Sequence, residues 1–214
     1  MSQLSHVLAR PLIGLWLRFS SHSWERHVLA TDSPHVHAPG TNPDRVLLTG
    51  EGAATGRGVR THDLGLPGYL ARALTARTGR ATDVDIIVNG KMTARTCRQA
   101  LKDVDLARFD IIVLSIGCNE ALALQGVPTW REGLGDLLAD IADRSPAATK
   151  TFVLAMSPFG INPHFPVPLG RIVDRHVERL NTETDNLLRQ YPRMVFVPEH
   201  PRPFELEGAH QYQQ

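Results

Sequence analysis

Cysteine is scarce in this chain: Cys97 and Cys118 are the only two among 214 residues. They form neither a C-x-x-C pair nor a disulfide ladder, so the plain reading is two buried small thiols rather than a stapled secreted fold. A surplus of charge is also missing. Twenty-three basic residues stand among 22 acidic ones, for a formal net charge of +1. A balance of that kind gives no bulk attraction to nucleic acid or to an anionic membrane, and no nucleic-acid partner is expected. Long apolar runs are absent as well. The longest near the start, "PLIGLWL" at 11–17, is far too short to span a bilayer, and no transmembrane segment is expected. No small-residue cleavage site clearly succeeds it, so no signal peptide is expected and the cytoplasm is the expected location.

Nucleotide signatures are lacking too. "GEGAATGRG", residues 50–58, reads G-x-G-x-x-x-G rather than G-x-G-x-x-G, and Arg57 follows Gly56 where a Walker loop needs Lys. The second strand ends in Asn89 and Gly90 with no acid to hold a ribose. His22, His27, His35 and His37 match no standard ligand spacing, so no metal and no cofactor are expected.

What is present is an alternation. Residues 1–44 divide into an amphipathic helical arm over 1–30, with Leu8, Leu12, Leu15 and Phe19 at helical spacing, and the Pro-rich connector "TDSPHVHAPGTNPD" over 31–44. The arm is expected to pack on the body, and it also offers a face through which the chain could form a homo-oligomer. From residue 45 to 214, one domain is expected. Its strands are "RVLLTG", "DVDIIVNG", a third within "FDIIVLSIGCNEA", "KTFVLAMSPFG" and "MVFVPE". Between them lie helices: "LPGYLARALTARTG", with Pro near its first turn and Gly at its end; "TARTCRQALKDV", opening at Thr93 or Thr96; "TWREGLGDLLADIADRS", with Trp130, Leu134, Leu137, Leu138 and Ile141 near one face; and the long "RIVDRHVERLNTETDNLLRQY". Strands alternating with helices this long predict a mostly parallel five-stranded sheet covered on both faces, a three-layer α/β/α fold. Functional groups should then lie in the loops after strands.

Three features stand there or near the chain's end. A small-residue turn, Gly50-Glu51-Gly52, closes the first strand. Asn119 follows Gly117 just beyond the third and can aim amide donors into a cleft. Glu207 and His210 sit three apart near the C-terminus, where a carboxylate can orient an imidazole as a general base. Taken singly, each has a bland reading: a turn, a turn residue, a surface histidine.

Together they resemble the SGNH, or GDSL-like, hydrolase family. "LLTGEGAATGRGV" is similar to the family's first block, Gly-Asp/Glu-Ser and small residues, with Gly52 where the nucleophilic Ser is expected. "VNGKMTART" supplies Ala94 at the second block's N–H donor, and "GCNE" matches Gly-x-Asn-Asp with Glu120 for Asp. Glu207-Gly208-Ala209-His210 would be the Asp-x-x-His block, with Gln211 for the usual Pro. The resemblance implies a flavodoxin-like sheet, a His210–Glu207 pair, and an oxyanion pocket made by the N–H groups of Gly52 and Ala94 and the amide of Asn119. It also implies a small acyl-ester or carbohydrate-ester ligand.

Gly52 changes the chemistry that the resemblance implies. A glycine cannot be acylated, so the serine mechanism lacks its attacking oxygen. Thr49, Thr55, Cys118 and Glu51 are the nearby groups that could replace it or activate water. Three readings are open. The first is a ligand-binding protein, non-catalytic or a very weak esterase. The second is an active ester hydrolase using activated water or a substitute nucleophile. The third is a flavodoxin-like nucleotide-binding domain.

Overall fold

The computed structural model describes residues 3–199, with side chains from residue 8 onward. Glu207 and His210 lie outside the described residues.

Six strands form one sheet in the order β1-β3-β2-β4-β5-β6: β1 (His35–Ala38), β2 (Thr41–Gly50), β3 (Arg80–Val88), β4 (Ile111–Ser115), β5 (Lys150–Leu154) and β6 (Met194–Val197). Five run parallel, and β1 adds an antiparallel edge on β3. The helices are α1 (Gln3–Phe19), α2 (Leu66–Thr78), α3 (Ala94–Ala100), α4 (Cys118–Leu122), α5 (Val127–Arg144) and α6 (Val167–Leu188).

The central strand shows why both faces need cover. Leu47 packs with Ile112, Leu114 and the inward residues of α3, α5 and α6, while its neighbours Val46 and Leu48 pack with Ala71 of α2 on the opposite face. Adjacent side chains on a strand point opposite ways, so an unbroken apolar run is what two covered faces require. The inward face of α5 is the expected one, with Trp130, Leu134, Leu137, Leu138 and Ile141 all buried. Thr93 is the N-cap of α3, in a reciprocal capping box with Thr96. Gly79 closes α2 at φ +71°.

Two expectations need correction. The sheet has six strands, because the connector contains β1 and the start of β2. The reason is a period-two pattern hidden by histidines: Val36 and Ala38 are buried, while His35 and His37 face out to Asp85 and Asp83 of β3 at 2.8 and 2.7 Å. The arm also packs by a different face. Ala9 and Ile13 are buried, with Trp16 and Leu17 against the core, whereas Leu8, Leu12, Leu15 and Phe19 are exposed.

Candidate functional site

The chain steps from β2 outward to β3 on one side, then back across to β4 on the other. That makes the carboxyl end of β2 the switch point of the sheet, where loops part and leave a crevice. A cleft of ≈ 320 Å³ lies there, lined by Glu51 and Gly52 after β2, Gly90 after β3, Cys118 and Asn119 after β4, and Phe159 after β5. Trp24, His27 and Arg57 also line it.

The floor is built by a close approach of β2 to β4. Gly50 adopts φ +130°, and a Cβ placed on it would stand 1.8 Å from the Ser115 carbonyl oxygen. The next residue then turns across, with Glu51 N–H donating to Ser115 O at 2.7 Å and Ser115 Oγ donating to Glu51 O at 3.0 Å. This aims the Glu51 side chain into the turn after β4. There its Oε1 accepts from Gly117 N–H at 2.8 Å and Asn119 N–H at 3.1 Å, and its Oε2 accepts from the Asn119 side-chain amide. Glu51 is almost wholly buried. Burial raises its carboxyl from the ordinary 4.5 to about 8, against the pull of those N–H donors and with the push of nearby Glu120.

Gly52 opens a short 3₁₀ turn at φ +61°. The first N–H groups of such a turn have no partner inside it. A Cβ built on Gly52 meets only Cys118 Sγ, at 4.0 Å, so the space above it is open.

The expected trio of donors is not assembled. Gly52 and Asn119 share the cleft, but Ala94 does not line it. The Ala94 N–H donates inward to Glu120 Oε1 at 2.7 Å. The Asn119 amide nitrogen reaches Glu51 Oε2, Met92 O at 2.8 Å and Gly90 O at 3.2 Å, so its two hydrogens already have three acceptors. A side-chain carboxylate one residue past Asn119 has captured the backbone donor that the motif assigns to a ligand.

The substitute nucleophiles fare poorly. Thr49 Oγ1 is buried on Ile87 O at 2.7 Å, and Thr55 Oγ1 donates to Gly52 O at 2.7 Å. Cys118 does line the cleft beside Asn119, because both begin α4 rather than alternating along a strand. Its thiol is pushed far up by burial and by Glu51 and Glu120, and the thiol form is a poor nucleophile.

Trp24 and His27 are cleft residues that no motif marks. The segment around them is held by the turn after β2: Gly58 N–H donates to Val28 O at 2.8 Å, Ala30 N–H to Gly56 O at 3.3 Å, and Arg57 Nη1 to Trp24 O at 2.5 Å. A further histidine–carboxylate pair, His62 Nδ1 with Asp32 Oδ1 at 2.6 Å, ties the connector to the body away from the cleft lining. Among the described residues no group of side chains is placed to hold a metal ion, and no helix is long and apolar enough to cross a membrane.

Fold and cleft together define a doubly wound, three-layer α/β protein with its candidate site at the switch point of the sheet. The chain belongs to the GDSL-like lipase/acylhydrolase family, whose model matches residues 50–209. That span takes in Glu207 and ends immediately before His210. No curated protein matches the chain. Among solved structures it is similar to AlinE4, an SGNH-hydrolase family esterase, with a TM-score of 0.58 and 17% identity over 73% of this chain and 77% of that one. It is similar to Axe2, an acetylxylan esterase from Geobacillus stearothermophilus, with a TM-score of 0.52 and 14% identity over 74% and 76% of the two chains. An extracellular lipase from Streptomyces rimosus matches with a TM-score of 0.51 and 13% identity over 72% and 80%. At these identities the likeness is one of fold.

Proposed function

We propose that this chain is an acyl-ester hydrolase that attacks with water instead of a side chain. The observation that carries the reading is the open space over Gly52, inside a cleft at the switch point of the sheet. Gly52 is taken as the family's nucleophile position, left without its hydroxymethyl group. A water seated there can attack the ester carbonyl. His210, oriented by Glu207, takes the proton from that water and returns it to the leaving alcohol. The oxyanion is held by the Gly52 N–H, joined by the Asn119 amide when a ligand draws it from Met92 O or Gly90 O. No acyl-enzyme forms on this route, and turnover is slow, because fewer donors face the developing charge than in a full oxyanion hole. A small acyl ester or a carbohydrate ester suits the cleft; the acetylxylan esterase is one neighbour of that chemistry.

A second reading is a binding protein without turnover. It is favoured by one observation, the internal capture of the Ala94 and Asn119 donors.

The test is hydrolysis of 4-nitrophenyl acetate and butyrate by the native chain and by His210→Ala, with mass spectrometry of the protein during turnover. Native turnover above buffer, no acyl adduct, and a loss of about 10²-fold or more in His210→Ala are expected. Turnover at the buffer rate favours the binding protein. An adduct on any side chain refutes attack by water. Loss in His27→Ala with His210→Ala unaffected would transfer the base to the arm.

A further inference from the structure

Three ionisable side chains line the cleft: Glu51, His27 and Arg57. They are not equally presented. Both Glu51 oxygens are taken by N–H donors of the turn after β4, and the residue is 2% exposed. Burial lifts its carboxyl to about 8, which disfavours the charged form. Arg57, by contrast, is half-buried and always charged. One of its five N–H donors goes to Trp24 O at 2.5 Å. No carboxylate among the described residues pairs with it.

The guanidinium also has a fitted seat. A Cβ built on Gly90 would stand 2.9 Å from Arg57 Nη2, so the absence of a side chain just past β3 lets the guanidinium lie against the backbone. Its hydrogen bond to Trp24 O ties it to the arm, and it lies beside Gly90 with Gly52 in the same cleft. Trp24 and Phe159 line that cleft too, their ring centroids 5.6 Å apart. A cation pinned beside an aromatic wall selects a ligand with an anionic end and a flat or apolar body.

We propose that Arg57 makes this cleft selective for esters that carry a carboxylate or another compact anionic group. That the ligand is an ester rests on the hydrolase reading; that it is anionic does not. Arg57 acts by holding the anionic end, so that the ester carbonyl lies over Gly52; it takes no part in proton transfer.

The experiment uses matched aromatic probes. Calorimetry compares binding of 4-hydroxybenzoate with that of its neutral methyl ester. Hydrolysis of 4-acetoxybenzoate and methyl 4-acetoxybenzoate, corrected for their uncatalysed rates, is followed separately. The native chain is expected to bind the anion about 10-fold or more tightly than the neutral probe, as a charge-assisted contact allows. Added salt should weaken the anion alone. Arg57→Gln should bring the ratio close to one, with the anion losing far more affinity than the neutral probe, and Arg57→Lys should restore part of it. A native ratio near one, failure to bind either probe, or equal loss of both in Arg57→Gln overturns the proposal; the last result would mean that Arg57 only anchors Trp24. If Arg57→Gln does not fold, the native ratio and its salt dependence decide. Anion preference in binding without hydrolysis keeps this inference and removes the hydrolase reading. Equal hydrolysis of both esters does the reverse.

Discussion

Glu51 carries its carboxyl into the turn after β4, where two backbone N–H groups and the Asn119 amide reach it. Two effects compete there. The donors favour the charged form, and near-complete burial beside Glu120 disfavours it, with burial the larger. The consequence is a pH-dependent contribution to folding with a definite sign. The folded chain holds a proton that an unfolded one releases at the ordinary 4.5, and keeps it until about 8. Stability from this group is therefore full below about 4.5 and is lost as pH rises toward 8, by at most ~1.4 kcal/mol per pH unit. Glu51→Gln cannot ionise and should lack that slope, although its amide will clash with the Asn119 donor and lower stability at every pH. Urea unfolding at pH 5, 6, 7 and 8 checks this. The gap between native and variant should shrink steadily as pH rises. Parallel curves would show that the three donors win and that the carboxyl is ionised throughout.

The junction of β2 with β4 sets the floor of the cleft, and it depends on one absent side chain. Gly50→Ala places a methyl group 1.8 Å from Ser115 O, a fixed backbone atom, at φ +130°. Neither strand can yield without breaking the ladder from Val46–Ile111 to Gly50–Ser115. A loss on the order of 4 kcal/mol or more is expected, read as a lowered urea midpoint or as failure to fold. This element is legible in the sequence because its cues are local: an unbroken apolar run ending in Gly. The same holds for α2, marked by Pro67 and Gly79, and for α3, marked by Thr93. β1 is hidden because its cues are not local. His35 and His37 look like loop residues until Asp85 and Asp83 stand opposite them. The site divides in the same way. Gly52 and Asn119 are found by their positions just past strand ends. Ala94 is assigned by register, but where its N–H points is decided by Glu120, 26 residues away. Trp24 enters the cleft only through the docking of a segment whose own pattern mentions no cleft.

Over the whole molecule, the arm behaves as part of the body and not as an appendage. Ile13 is 1% exposed in the main core, and Arg10 donates to the carbonyl oxygens of Ala123 and Leu124. Trp16 stacks edge-on to Phe165 at 4.9 Å, and beyond α1 Trp24 lies 5.6 Å from both Phe159 and Phe165. The aromatic cluster thus joins the arm, the loop after β5 and the approach to α6, and its Trp24 and Phe159 line the cleft. Packing of this kind should make unfolding of the arm and of the sheet a single event. Ile13→Ala, which only empties core volume, should cost about 2–5 kcal/mol and leave ligand affinity intact in the folded fraction. Trp24→Ala should cost a similar amount and also weaken binding of 4-hydroxybenzoate, because it removes a face of the cleft. The decisive measurement is urea unfolding followed both by tryptophan fluorescence and by far-ultraviolet circular dichroism. Native chain and Ile13→Ala should each give coincident transitions, with the variant shifted as a whole. If the fluorescence change in Ile13→Ala instead precedes the loss of secondary structure, the arm peels away on its own, and the aromatic wall is a cover laid on a finished sheet.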